Sequence, residues 1–144
     1  MTGSSLARAL LIALAVAGAS CASLKDPMHQ EDAFNENVRH FTQFVRWGNF
    51  QGAAAFLAEA QQDELLELAP QLSDVRFTDY EILRKDLNET RDAGTVDVVY
   101  TGYRLSSQIS RTMRLQQKWT RTDGRWTVEI ELEPMREALG LAAK

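Results

Sequence analysis

Residues 111–132 read RTMRLQQKWTRTDGRWTVEIEL, the segment with the clearest structural pattern in the chain. Apolar and polar side chains alternate on both sides of Asp123-Gly124, the pattern of two strands that each bury one face. The Asp-Gly dipeptide favours a two-residue type I′ turn, because both central residues of that turn need a positive φ. The segment therefore predicts an antiparallel hairpin with three cross-strand pairs: Trp119–Val128, Gln117–Ile130 and Leu115–Leu132.

The chain before this hairpin continues the two-residue alternation. A first strand is predicted from about Val75 to Leu83, and its alternation slips near Asp79, which indicates a β-bulge. Residues 86–94 are polar and predict a loop. A turn centred on residues 106–107 keeps the apolar side chains on one face and sets two pairs, Tyr100–Met113 and Val98–Leu115.

Before Pro70 the apolar spacing is that of helices. A first helix carries an apolar stripe, Phe34, Val38, Phe41 and Val45, and ends at Gly48-Asn49. A second helix is predicted over residues 50–60. A third is predicted over residues 63–69, with Asp63 as its N-cap. The sequence predicts an α+β fold, in which N-terminal helices pack on the apolar face of a four-stranded antiparallel sheet.

This order of elements resembles the NTF2-like superfamily, the SnoaL-like and cystatin-like cones, in which a curved sheet wraps around a long first helix. The resemblance covers residues 31–133 and rests on the order of elements, on FVRWGNFQGAAAFL at 44–57 and on WTRTDGRW at 119–126. Small proteobacterial lipoproteins have a similar arginine-tryptophan-glycine turn and a similar tryptophan-bracketed hairpin. None of these features is a catalytic motif, so the resemblance implies a fold and no particular reaction.

The N-terminus has the order of a secretory signal peptide. Residues 1–20 contain Arg8, the apolar run ALLIALAVA at 9–17 and three small residues that precede Cys21. The run is too short to span a bilayer, which needs about 20 helical residues. The stretch AGASC at 17–21 resembles a lipobox, the motif at which bacterial lipoproteins are acylated on cysteine and cleaved, although the family usually has an aliphatic residue at the position of Gly18.

The lipobox resemblance implies a division of the chain and a location. We predict a signal-peptide helix at 1–20, the lipidated Cys21 with a tether at 21–30, the domain at 31–133 and a C-terminal tail at 134–144. Ala22, in place of an aspartate, favours the outer membrane by resemblance to enterobacterial sorting rules. The lipid would hold the domain at the envelope, facing the periplasm. The alternative is an ordinary signal that releases a domain without lipid.

Composition excludes several classes of function. The chain has 16 basic and 20 acidic residues, well mixed along its length, so it lacks the clustered basic face that nucleic-acid binding needs. It has 2 histidines, and its single cysteine belongs to the lipobox, so no metal site is predicted. Phosphate-binding loops and hydrolase motifs are also missing from the sequence. We expect no cofactor.

Four residues, Asp79, Tyr100, Arg111 and Gln117, are candidates for a pocket inside the cone. Enzymes of the NTF2-like superfamily place an aspartate or histidine there as a base, which needs a raised pKa. Asp79 lies at the bulge, whereas Asp97 has the opposite parity to its apolar neighbours and should face water. Arg111 shares the apolar parity and is predicted opposite Gly102, where it would hold an anion or extend to solvent. Gln117 is predicted to be buried, with Tyr100 or helix backbone as its partner.

These observations support two hypotheses of different classes. The first is a non-enzymatic lipoprotein module that binds an envelope protein or a small amphiphilic ligand. The alternative is a cone-pocket enzyme, or binder of a small hydrophobic molecule, that uses Asp79 and Arg111. A homodimer is a further hypothesis, because an apolar strip of Val99, Tyr103 and Leu105 is predicted on the outer face of the sheet. At their spacings Trp47, Trp119 and Trp126 are expected to pack in the core and the hairpin, and the alternative is that they form a ligand-stacking wall.

Overall fold

In the described residues the chain runs from helices into a sheet and then into a short helix. The computed structural model describes residues 27–138 and 140, so the predicted signal peptide, Cys21 and most of the tether lie outside the described residues. The elements are α1 (Pro27–Arg46), α2 (Phe50–Ala54), α3 (Glu59–Leu68), a 3₁₀ helix (Ala69–Leu72), β1 (Val75–Leu87), β2 (Ala93–Arg104), β3 (Ser110–Thr122), β4 (Arg125–Ile130) and α4 (Glu133–Ala138). No helix in the described part of the chain is long and apolar enough to cross a membrane.

The four strands form one antiparallel sheet in the order β1-β2-β3-β4. The type I′ turn is confirmed, with φ of 51° at Asp123 and 81° at Gly124. The loop between β2 and β3 is longer than a two-residue turn, yet it keeps the predicted register. The pairs found as predicted are Trp119–Val128, Gln117–Ile130, Tyr100–Met113 and Val98–Leu115, whereas β4 ends before the predicted Leu115–Leu132 pair.

Strand β1 is irregular in the way that its sequence indicates. The register shifts between Phe77 and Asp79, which confirms the bulge, and shifts again between Ile82 and Arg84. The strand continues to Leu87, beyond the predicted end, so the following loop is shorter than expected. Because β1 is an edge strand, its two bulges and its charged side chains disfavour pairing with another chain.

The core lies between α1 and the inner face of the sheet. The predicted apolar stripe of α1 is buried: Phe34 is 1% exposed and Phe41 is 0% exposed. At the centre, the Trp119 ring meets Phe34, Phe41 and Phe56 edge-on, at centroid distances of 5.8–6.3 Å. Such edge-to-face contacts stabilise aromatic clusters beyond the burial of their area. The interior of this cone is therefore filled by its own side chains.

The short helices differ from the prediction. Asn49 caps α2 by accepting a hydrogen bond from the backbone N–H of Gly52, but α2 lasts only 5 residues. The chain then leaves the helix because Leu57 forms a bridge with Val128 of β4, and the Val128 N–H donates to the Phe56 carbonyl. Helix α3 consequently starts at Glu59, so Asp63 is not its N-cap. A tertiary contact overrides the local helical pattern here.

The C-terminal segment includes helix α4, at a place where a tail is predicted. Met135 is completely buried against the core, and the guanidinium of Arg136 is buried beside Glu64 of α3. This short helix packs beside β3. The segment therefore contributes to the core through Met135.

Candidate functional site

The two innermost predicted pocket residues lie in the packed core. The Gln117 side chain is fully buried; its amide nitrogen donates to the Thr42 hydroxyl at 3.2 Å, and its amide oxygen accepts from the Trp119 indole at 3.0 Å. The amide is thus satisfied by α1 and β3, and not by the Tyr100 hydroxyl or helix backbone. Gln117 is committed to holding the core together.

Tyr100 is also fully buried, with its ring against Phe77 and Tyr80 at centroid distances of 5.5 and 6.1 Å. Its hydroxyl lies near Thr42 and Gln117 but has no hydrogen-bond partner among the described residues. Burial raises the pKa of this hydroxyl above its usual range, against a smaller opposing effect of those two neighbours. The phenol therefore stays protonated at neutral pH and cannot act as a base.

The other two predicted pocket residues lie at the surface. Asp79 is exposed at the bulge, where its carboxylate accepts a hydrogen bond from the Tyr80 N–H at 2.8 Å. Arg111 lies opposite Gly102 as predicted, but its side chain is exposed. The glycine at position 102 instead makes room for β1, because a Cβ there would lie 2.8 Å from the Arg76 carbonyl oxygen. The structure does not bring these two residues together with Tyr100 and Gln117.

The prediction that the Asp97 side chain faces water is wrong. It points to the outer face of the sheet but is only 6% exposed, because side chains of β3 cover it. Its carboxylate accepts hydrogen bonds from Gln116 at 3.2 Å and from Arg114 at 3.0 Å. These contacts hold its pKa below the usual range, with the Gln116 bond as the larger cause. A base poised near neutral pH needs the opposite shift.

A groove at one end of the domain is the candidate site. It lies between the C-terminal end of α1, α2, α3, the 3₁₀ helix and the start of β1, and its volume is about 720 Å³. Four buried apolar side chains line it, Phe50, Leu72, Val75 and Phe77. Its polar lining includes Arg46, Asn49, Gln51 and Arg76, and none of the lining residues is acidic. The groove thus combines apolar surface with positive charge, as ligand sites commonly do.

The turn after α1 shapes one wall of this groove. Gly48 has a φ of 68°, a left-handed conformation that favours glycine and lets the chain reverse there. The guanidinium of Arg46 lies 4.7 Å from the centroid of the Trp47 ring and donates a hydrogen bond to the Phe77 carbonyl. Trp47 itself is 75% exposed, so the prediction that it packs in the core is wrong. An exposed indole beside an oriented arginine is a surface suited to binding.

Arg76 lines the opposite side of the groove from β1. One of its terminal nitrogens donates to the carbonyl oxygens of Ser73 and Val75, each at 2.8 Å. Neither Arg46 nor Arg76 forms an ion pair with any residue that the structure describes, whereas nearby Asp74 is engaged by Arg104 at 3.1 Å. The two guanidinium groups therefore give the groove an uncompensated positive charge.

Other surfaces of the described residues offer fewer candidate functional groups. Within residues 27–138 and 140, no three histidine, cysteine, aspartate or glutamate side chains converge as metal ligands would. Of the outer apolar strip, Val99 and Tyr103 are half-buried and Leu105 is exposed, so dimerisation through this face stays a prediction. The groove could not be found from the sequence, because its walls come from five separate elements: α1, α2, α3, the 3₁₀ helix and β1. The one sequence signal was the Arg46-Trp47-Gly48 turn.

The chain matches no protein-family model and no curated protein. Among solved structures it is similar to a ketosteroid isomerase-like protein from Erwinia carotovora atroseptica, with a TM-score of 0.53 and 14% identity, over 65% of this chain and 86% of that one. It is also similar to a SEC-C motif containing protein from Rhodopseudomonas palustris, with a TM-score of 0.51 and 14% identity, over 62% and 70% of the two chains. At this identity the likeness shows the fold alone, an NTF2-like α+β cone.

Proposed function

We propose that this protein is a lipoprotein of the bacterial envelope, anchored through Cys21, whose NTF2-like domain binds a partner and catalyses no reaction. Its binding site is the groove beside Trp47. The observation that carries the binding role is the pair of guanidinium groups, Arg46 and Arg76, which line an apolar groove without a carboxylate partner among the described residues. Arg76 is exposed and Arg46 is partly buried, so both guanidinium groups are open to an anionic ligand that would pair with them.

The interior of the cone supports a role without catalysis. A base inside the cone needs an open cavity and a carboxyl group of raised pKa. Here Trp119 and its aromatic neighbours fill that space, and Asp79 lies outside it. Asp97 has a lowered pKa, and the raised pKa of Tyr100 keeps its phenol protonated. The alternative of a cone-pocket enzyme has no comparable observation in its favour.

The anchor sets which end of the domain faces a partner. Helix α1 begins at Pro27, six residues after Cys21, and a fully extended chain of that length spans at most about 20 Å. Helix α1 has 20 residues, so it is about 30 Å long, and the groove lies at its far end. A lipid on Cys21 would hold the start of α1 near the membrane. The groove would then be available to partners in the periplasm.

Acyl labelling of three forms of the full chain tests the anchor. Cells that express wild-type protein, Cys21→Ser or Gly18→Leu are fed an alkynyl fatty acid, and the tagged protein is analysed by electrophoresis. We expect label and a shortened chain for wild type, and neither for Cys21→Ser. Gly18→Leu restores the usual aliphatic residue of the lipobox, so it should be processed at least as fast as wild type. It is the matched control for a change within the same motif.

Label and size decide the result, because an uncleaved signal segment can itself keep the Cys21→Ser chain at the membrane. A Cys21→Ser chain with unchanged size and unchanged label would contradict the lipoprotein proposal. Wild-type protein that is shortened but unlabelled would indicate an ordinary secreted protein. The anchor part of the proposal would then fail, whatever the groove binds.

A further inference from the structure

We propose that the groove binds an acidic peptide segment of another protein, which places carboxylate groups on Arg46 and Arg76 and an apolar side chain on the groove floor. This inference rests on the proposed function as a binding module and names its class of partner. The groove is lined by two arginines, and no lining residue is acidic. Charge complementarity therefore selects an anionic partner.

The two guanidinium groups are held in place before a partner arrives. Arg46 donates one terminal nitrogen to the Phe77 carbonyl, and Arg76 donates one to the carbonyls of Ser73 and Val75. Each group keeps further N–H donors on a planar fork, the geometry that suits a carboxylate. Because the backbone contacts already restrict both side chains, less conformational entropy is lost on binding.

The apolar part of the site suits a side chain and a flat peptide surface. Trp47 is exposed beside the groove, while Phe50 and Leu72 belong to its apolar lining. Tryptophan and arginine are the residue types that most often dominate binding energy at protein interfaces. Their combination around one open groove fits a peptide with acidic and apolar residues close together.

A peptide fits this groove better than a lipid does. A long acyl chain needs an enclosed apolar cavity, and the interior of the cone is filled by Phe34, Phe41 and Trp119. The groove also lies at the end of α1 opposite the proposed anchor, away from the membrane surface. We therefore assign its occupant to a protein partner in the periplasm.

Selection from a random peptide library displayed on phage tests this assignment. The bait is the full acylated chain in detergent micelles, beside the variants Arg76→Gln and Trp47→Ala. The matched control is Arg84→Gln, because Arg84 lies on the same strand with its side chain 70% exposed but outside the groove. We expect wild type and Arg84→Gln to enrich peptides with acidic residues beside aromatic or aliphatic ones. The two groove variants should lose that enrichment.

The best-selected peptide is then titrated by fluorescence anisotropy. Loss of one charge-assisted pair should weaken binding by at least about tenfold, both for Arg76→Gln and for a peptide with its glutamates replaced by glutamines. Arg84→Gln should stay within about twofold of wild type. Circular dichroism and the unfolding midpoint of each variant verify that it is folded.

Three results would overturn the inference. They are enrichment of peptides without acidic residues, equal binding by wild type and both groove variants, or failure to select a peptide together with binding to phosphatidylglycerol vesicles that Arg76→Gln and Trp47→Ala weaken. The Cys21→Ser chain should bind the same peptide as tightly as wild type, because the groove does not involve the anchor. If the acyl labelling fails, the anchor proposal falls and the peptide site stands. If no acidic peptide binds, the peptide site falls and the anchor proposal stands.

Discussion

Replacing Tyr100 with phenylalanine removes one oxygen atom from the centre of the domain. The side chain is fully buried, and its hydroxyl has no hydrogen-bond partner among the described residues. A buried hydroxyl that forms no hydrogen bond costs about 1–3 kcal/mol. The ring contacts with Phe77 and Tyr80 are kept in the variant. We therefore expect Tyr100→Phe to raise the free energy of unfolding by about 1 kcal/mol.

Urea denaturation followed by circular dichroism measures this change. With a denaturant slope of about 1–3 kcal/mol/M, a gain of about 1 kcal/mol raises the midpoint by roughly 0.3–1 M. Tyr80→Phe is the matched control, because Tyr80 belongs to the same ring cluster but is partly exposed. Its hydroxyl can reach water, so its removal should change stability by less than about 0.5 kcal/mol.

The opposite sign would refute the description of an unsatisfied hydroxyl. If Tyr100→Phe lowers the free energy of unfolding by more than about 1 kcal/mol, the hydroxyl makes a bond in the folded protein. Its partner would then be Thr42 or Gln117, which lie beside it, or a water molecule or ligand inside the cone. Only a water molecule or ligand would bring back the alternative of a cone pocket, with Tyr100 and Gln117 in its wall.

Three further predictions concern stability. Asp97 has a lowered pKa in the folded state, so it stabilises the fold above the unfolded pKa of about 4, and this contribution is lost as the pH falls through the folded pKa. In Asp97→Asn the free energy of unfolding should therefore decrease less steeply below about pH 4 than in wild type, as measured by denaturation at a series of acid pH values. Part of the decrease should remain, because the pKa of Asp74 is also lowered. Gly102→Ala should lower the unfolding free energy by about 1–3 kcal/mol in urea, because its Cβ would lie 2.8 Å from the Arg76 carbonyl oxygen; an unchanged midpoint would contradict that packing. Trp47→Ala should cost less than about 1 kcal/mol by the same assay, because the indole is 75% exposed, and a larger loss would mean that it packs in the core.

The sheet could be predicted because its information is local. Asp123 and Gly124 adopt the positive φ values of a type I′ turn, and a two-residue turn fixes the register of the strands beside it. The bulge at Asp79 left a visible slip in the alternation. In contrast, the bridge between Leu57 and Val128 joins residues far apart in the chain. No local pattern indicates it, so the ends of the second and third helices were wrong.

The site was harder to predict because burial depends on neighbours from other elements. Parity placed Asp97 on the outer face correctly, but it could not show that Arg114 and Gln116 cover it. Trp47 was expected to pack in the core or the hairpin from the spacing of the tryptophans, yet it is exposed beside the turn at Gly48. The groove itself exists only where five elements meet.

Site-specific photo-crosslinking in living cells tests the proposal of an anchored binding module most directly. Benzoylphenylalanine replaces Gln51, an exposed residue of α2 that lines the groove, or Lys118, an exposed residue of β3 outside it, in wild-type and Cys21→Ser backgrounds. We predict a discrete protein adduct from position 51 in both backgrounds, carried by an acylated and shortened chain only in wild type, and no matching adduct from position 118. Identical adducts from both positions, or none from position 51 in the acylated chain, would contradict the proposal.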